Sequence, residues 1–164
     1  MERLHALPPV VDDRTRLLIL GSLPSTKSLA AGEYYGNPRN QFWMLLGSVL
    51  DIPGFAERPY AERVAGLRER GIGLWDAIAE AYREGSLDAA LREVVPADLT
   101  RLADRLPALS TIAFNGARSE QLAMRHHPAL ATRYRLLRLP QSSPARAMPV
   151  GEKETEWAVL RNFL

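Results

Sequence analysis

"RLLILGS", from Arg16 to Ser22, is apolar at almost every position and then stops at a glycine and a serine. A run this short and this uniformly apolar reads as a strand buried on both faces that opens into a loop. Such strands belong to parallel sheets covered by helices above and below. Segments further along repeat the pattern. "GIGLWDAI" (71–78) is a short apolar segment, a strand turning into a loop or helix. "LSTIAFNG" (109–116) is a strand ending at Asn115-Gly116, and "YRLLRLPQSSPARA" (134–147) is a strand that breaks into a polar loop.

Helical stretches separate these strands. "PYAERVAGLRERG" (59–71) is amphipathic and closes on Gly71. "PADLTRLADRL" (96–106), "ARSEQLAMRHH" (117–127) and the terminal "EKETEWAVLRNFL" (152–164) also read as helices, with the His126-His127 pair ending the second of them. Strands alternating with helices indicate an α/β fold. In such sheets ligands sit beyond the carboxyl ends of the strands. The four strand ends here carry Ser22-Leu23-Pro24-Ser25, Trp75-Asp76, Asn115-Gly116 and Gln141-Ser142-Ser143-Pro144.

Composition narrows the classes. The 164 residues suit one domain spanning the whole chain, and 46% are hydrophobic, enough for a real core. No apolar run reaches the roughly 18 residues of a membrane span, and the N-terminus lacks the apolar core of a signal peptide. With no cysteine there are no disulfides, thiolate metal sites or cysteine nucleophile, and a cytoplasmic monomer is expected. The net charge is only +2, with a pI of 9.2. Lys27 and Lys153 are the only lysines; the rest of the positive charge is arginine, crowded between Arg118 and Arg146. That crowding reads either as a nucleic-acid patch or as a solvated arginine-rich face. There is no Walker loop, no Gly-x-Gly-x-x-Gly and no Gly-x-Ser-x-Gly elbow. The histidines His5, His126 and His127 are not at metal-ligand spacing with carboxylates, and no metal is expected.

"EYYGNPRNQFW" (33–43) concentrates aromatic and amide groups at one loop-to-helix junction. Pro38 suits the first position of a helix and Asn37 suits its cap. Phe42, Leu45, Leu46, Val49 and Leu50 then form one apolar stripe. On a helical wheel Asn40 lies opposite that stripe, so it faces solvent or a cleft in the first turn. Unpaired N–H groups and the positive end of the helix dipole would there stabilise an anion. Asparagine is a poor helix former one turn in, which gives it reason for a second role. Tyr34 and Tyr35 are either packing residues or a face on which a flat ligand stacks.

Taken together, "ILGSLPS", "YYGNPRNQFW", "GIGLWDAI", "IAFNG" and "LPQSSPARA" resemble the motif regions of the uracil-DNA glycosylase superfamily, most nearly its deoxyinosine (hypoxanthine-DNA) glycosylase branch, beside the mismatch-specific uracil/thymine glycosylases. The resemblance spans about Leu17 to Ala147. It implies a three-layer α/β/α sandwich around a central four-stranded parallel sheet and no cofactor. The partner it implies is double-stranded DNA with a damaged or mismatched base. It implies an enzyme that flips out a deaminated nucleotide and cuts its N-glycosidic bond through an oxocarbenium-like transition state.

The resemblance also implies roles. Asn40 takes the water or the sugar face, because Gly21-Ser22-Leu23-Pro24-Ser25 lacks the Asp or Asn that relatives often carry there. Tyr35 stacks on the flipped base, in a pocket completed by Gly21, Ser22, Leu23, Pro24 and Phe42. Asp76 stands where relatives read the base edge. As an acceptor only, it suits the N1–H of hypoxanthine; a surface carboxylate or helix cap is its structural alternative. Asn115 is the candidate amide donor in base release. Ser25, Lys27, Gln141, Ser142, Ser143 and Pro144 face DNA, with Ser142 and Ser143 on phosphate oxygens. Ala145 and Arg146 fall at the wedge that fills the vacated stack. Lys27, the only lysine near these motifs in sequence, more readily meets phosphate or solvent than forms a Schiff base, so a monofunctional enzyme is expected. Deoxyinosine is the expected substrate, with uracil, xanthine or G·T and G·U mismatches as the alternative within the same class; the alternative classes are a catalytically weak lesion-binding protein and a small-molecule α/β protein.

Overall fold

The alternation within "LLILG" sorts the chain into layers. The computed structural model describes residues 2–84, 90–144 and 147–164. Strand β1 is Arg3–His5, and β2 is Leu17–Gly21, buried at every position. Leu17 and Ile19 point to one face of the sheet, and Leu18 and Leu20 to the other, as the two-residue period of a strand requires. Strands β3 (Ile72–Asp76), β6 (Thr111–Asn115) and β7 (Arg135–Leu139) complete the central sheet. Its order is β3-β2-β6-β7, and each neighbouring pair is parallel. The expected four-stranded parallel sheet is therefore present.

One face carries α2 (Phe42–Leu50), α3 (Tyr60–Glu69) and α7 (Val150–Trp157). Phe42, Trp43, Leu46, Leu67 and Trp157 form its core with Leu17 and Ile19. The other face carries α4 (Leu99–Asp104), α5 (Ala117–His126) and α6 (Leu130–Arg133). Their side chains Leu99, Leu102, Ala123 and Leu130 pack on Leu18, Leu20 and Phe114. Two helical layers around one sheet make the α/β/α sandwich. The chain closes with a 3₁₀ segment, Ala158–Phe163, in place of the last turns of the expected terminal helix.

Two further elements depart from the sequence expectation. "GIGLWDAI" turns neither into a loop nor into a helix: β3 is followed after Ala77 by β4 (Ile78–Arg83). With β1 and β5 (Leu91–Pro96), β4 forms a second, antiparallel sheet of order β1-β4-β5. The Ala and Glu of "IAEAYR" are poor strand formers, and pairing to two neighbours overrides that preference. The second departure is at the glycine-asparagine-proline junction. Helix α2 begins at Phe42, not Pro38. Residues 37–40 form a tight turn instead, with Asn40 N–H donating to Asn37 O at 2.9 Å. The Asn37 side chain accepts from Arg39 N–H at 3.0 Å, so it stabilises the turn and does not cap the helix.

Candidate functional site

The carboxyl ends of β2, β3 and β6 open into one cleft of about 600 Å³, within the range of small-ligand sites. Five regions of the chain line it. The β2 loop supplies Gly21, Ser22, Leu23, Pro24 and Ser25, and the junction supplies Tyr35 and Asn40. Asp76 and Asn115 come from the ends of β3 and β6, and Gln141, Ser142, Ser143 and Pro144 from the last loop. Asn37, Arg39, Ser28 and Tyr34 also line it. Of these, exposed Arg39 adds a cation at the cleft that the sequence reading passed over; its place between two asparagines in the turn was the available signal.

Asn40 lies just before α2, not within its first turn, yet it does line the cleft. Its Oδ1 accepts from the Phe42 N–H at 3.0 Å and from the Ser142 hydroxyl at 2.8 Å. A backbone N–H can only donate, so this pair settles which end of the amide is oxygen. Both Oδ1 lone pairs are then used, and the Nδ2 donors are the end left for the cleft. Two of the N–H groups at the helix entrance, where an anion was expected, are engaged as well. Gln41 N–H donates to Ser142 O at 3.0 Å, and Phe42 N–H donates to Asn40.

Asn115 lines the cleft and ties its oxygen and one of its two amide hydrogens to Ser142. Its Oδ1 accepts from Ser142 N–H at 2.8 Å, and its Nδ2 donates to Ser142 Oγ at 2.9 Å. A directed relay results: Asn115 Nδ2–H to Ser142 Oγ–H to Asn40 Oδ1. Asn115 acts on the cleft by orienting Ser142, which in turn orients Asn40. Ser142 accordingly corrects another expectation. It has no exposed surface and its hydroxyl is spent inside the relay, so it does not present itself to a phosphate. Ser143 and Pro144 remain on the cleft wall.

Tyr35 holds its backbone in the left-handed region, at φ 53°, a conformation uncommon outside glycine. That geometry lays its ring on Phe42, with centroids 3.8 Å apart and planes 13° from parallel. Phe42 is fully buried and does not line the cleft. It backs Tyr35 and does not touch a ligand, because the aromatic stripe of α2 points into the core against Trp43 and Trp157. Tyr34 divides the work of the pair: it is 3% exposed, and its hydroxyl reaches Pro8 O at 2.8 Å. Burial pushes its phenol far above its ordinary value, and the charge of Asp76 adds to that.

Asp76 is neither a surface carboxylate nor a helix cap. It ends β3 at 3% exposure and pairs in register with Gly21. A Cβ on Gly21 would stand 2.7 Å from Asp76 Oδ1 and 3.0 Å from the Tyr35 hydroxyl. Glycine is needed at position 21 for space, so that both polar groups can crowd over the strand end. The loop that follows is held from the second sheet. Arg83 of β4, buried, donates through Nη2 to Pro24 O at 2.6 Å. This clamp was not legible in sequence, since β4 itself was not.

Lys27 is exposed in α1 (Thr26–Ala31) and lies outside the cleft lining. Lys153, which no motif in the sequence flagged, is fully buried and donates to Gln41 Oε1 at 2.8 Å. Ser25 lines the cleft but also caps α1, accepting from Ser28 N–H. Within the arginine-rich stretch, Arg133 pairs with Asp104 at 2.7 Å and Arg138 pairs with Glu120. Those two belong to a solvated, ion-paired face. Ala145 and Arg146, expected at the wedge, lie outside the described residues.

Comparison with known proteins agrees with this geometry. The family model described as the uracil DNA glycosylase superfamily matches residues 8–163. A hypoxanthine DNA glycosylase of Methanosarcina acetivorans is 36% identical over 160 residues, covering 96% of this chain and 98% of the relative. A hypoxanthine DNA glycosylase of Methanosarcina barkeri is 36% identical over 157 residues, covering 94% and 95%. A solution NMR structure of a candidate uracil DNA glycosylase from Methanosarcina acetivorans superposes with a TM-score of 0.84 at 34% identity, covering 99% of both chains. With the family match running over nearly the whole length and the motif residues gathered at one cleft, the chain belongs to the uracil-DNA glycosylase superfamily.

Proposed function

We propose that this protein is a monofunctional DNA glycosylase that takes a deaminated base, hypoxanthine before others, out of duplex DNA and hydrolyses its N-glycosidic bond. The observation that carries the reading is the placement of Asp76: a carboxylate 3% exposed, on the wall of the same cleft as Tyr35 and Asn40. An ionised carboxylate only accepts hydrogen bonds. The N1–H of hypoxanthine offers it a donor, and O6 is left for other donors in the cleft. The two relatives that carry the name hypoxanthine DNA glycosylase support the same base.

The steps follow from the residues. The flipped base enters against the Tyr35 ring, which Phe42 backs by stacking. Unstacking costs least at a damaged or mismatched base, which is one source of selection. As the bond to the base breaks, the sugar gains oxocarbenium character and the base leaves with the electron pair. Asn40 presents Nδ2–H donors, so it does not take a proton from water. It holds the attacking water by one lone pair and leaves another free toward the sugar. A cation-like sugar needs little nucleophilic push, so an amide suffices: the water oxygen bonds to the sugar carbon, and the proton it sheds neutralises the departing base anion. No lysine lines the cleft among the described residues, which favours simple hydrolysis over a Schiff base. Borohydride trapping of a covalent protein–DNA adduct would overturn that part.

The test uses duplexes bearing a single hypoxanthine, uracil, xanthine or mismatched thymine, treated with the protein and then with alkali. Strand breaks are expected first at hypoxanthine. Breaks first at uracil or at a G·T mismatch would move the substrate to the mismatch-specific branch. Salt-sensitive lesion binding without any break would leave a lesion-binding protein and sink the enzyme reading.

A further inference from the structure

We propose that Lys153 is a positioning residue for base release, locking the two halves of the cleft so that the hydrogen bond between Ser142 and Asn40 stays in register. The inference rests on the glycosylase reading above and adds a residue to it. Asn40 and Ser142 are 102 positions apart, so chain connectivity does nothing to fix their spacing. Lys153 holds the next residue along from each of them. Its ammonium donates to the side-chain oxygen of Gln41 at 2.8 Å and to the backbone oxygen of Ser143 at 3.1 Å.

The rest of α7 works in the same direction. Trp157, one helical turn beyond Lys153, donates from Nε1 to Pro140 O at 2.9 Å. One face of one helix therefore grips both ends of the 140–143 stretch. The backbone bond from Gln41 N–H to Ser142 O closes the ring between the two segments. Lys153 is itself fully buried and absent from the cleft lining, so it acts through its neighbours and not on substrate. Desolvating an ammonium is costly unless its hydrogen bonds are met. A leucine or methionine would fill the same volume without that cost. Among the described residues, its bonds to Gln41 and Ser143 explain the polar group, since they join segments that the chemistry needs at a fixed distance.

The experiment uses the full chain with Lys153→Met and, separately, Gln41→Met. Gln41→Met keeps the lysine and its bond to Ser143 O, so it carries the test if Lys153→Met does not fold. Two quantities are read: the single-turnover rate of base release from a hypoxanthine duplex at saturating protein, and the affinity for a non-cleavable 2′-fluoro version of that duplex. A positioning role lowers the rate by about 10- to 100-fold in each variant and leaves affinity within about threefold. The double variant should fall no further than the worse single one. Rates within about twofold of the parent, or rate and affinity falling together, would overturn the proposal. If the parent itself releases no base, the glycosylase reading fails, and the side-chain amide NMR signal of Asn40 decides the present point. Displacement of that signal in the folded variant supports the clamp, and an unmoved signal rejects it.

Discussion

Ser142 donates from Oγ to Oδ1 of Asn40 at 2.8 Å, and the same oxygen takes the Phe42 N–H at 3.0 Å. An asparagine whose oxygen is spent twice can offer only donors to the cleft. Asn40→Asp separates this from a base-like role, because aspartate keeps both acceptor bonds and loses the donors. Base release should fall about 10²- to 10³-fold, the usual cost of one oriented donor, with melting temperature little changed. A variant as active as the parent, or faster, would show that position 40 works by accepting.

Ser142→Ala removes the middle of the relay and leaves two oriented amides without it. Loss of a partner for buried polar groups costs about 1–3 kcal/mol, visible as a lower denaturant midpoint with an unchanged slope. Catalysis should drop further than stability accounts for, since Asn40 then keeps only one of its two orienting bonds, the one from the Phe42 N–H. Unaltered turnover in Ser142→Ala would mean the Phe42 N–H alone orients Asn40.

Asp76→Asn changes the base edge from acceptor-only to acceptor and donor. Relative rates on hypoxanthine and uracil duplexes should shift toward uracil, which offers carbonyl oxygens to the new amide. An unchanged ratio would make Asp76 structural.

At Gly21 the constraint is space. An added Cβ would lie 2.7 Å from Asp76 Oδ1 and 3.0 Å from the Tyr35 hydroxyl. Gly21→Ala should depress hypoxanthine release by about tenfold or more, since a shift of about 1 Å in a positioned group is that costly. Full activity in Gly21→Ala would show that Asp76 and Tyr35 can retreat without loss.

Several features of the fold are legible in the sequence. "LLILG" has no polar position, and a strand sandwiched between two helical layers satisfies that. The apolar stripe from Phe42 to Leu50 was likewise enough to set α2 on the core. Gly21, Tyr35, Asn40 and Asp76 came forward as a set through the resemblance that their surrounding motifs carry. What the sequence could not show was β4 and β5. "IAEAYR" becomes a strand by pairing with "LREVVP" on one side and Arg3–His5 on the other, and strand preference of this kind is set by the partners, not by a local pattern. For the same reason Arg83 gave no sign that it clamps the Pro24 loop.

The division between the two sources is physical. Local sequence determined which segments are strands or helices with strong periodicity, and which residues cluster where the sheet ends. The start of α2 at Phe42, the donor orientation of Asn40, the burial of Ser142 and the placement of Lys153 beside Gln41 were decided by tertiary structure. Each depends on a hydrogen bond between residues far apart in the chain or on a turn stabilised by such a bond. The energy of that contact outweighs local preference, and it exists only once the sheet and α7 have brought the partners together.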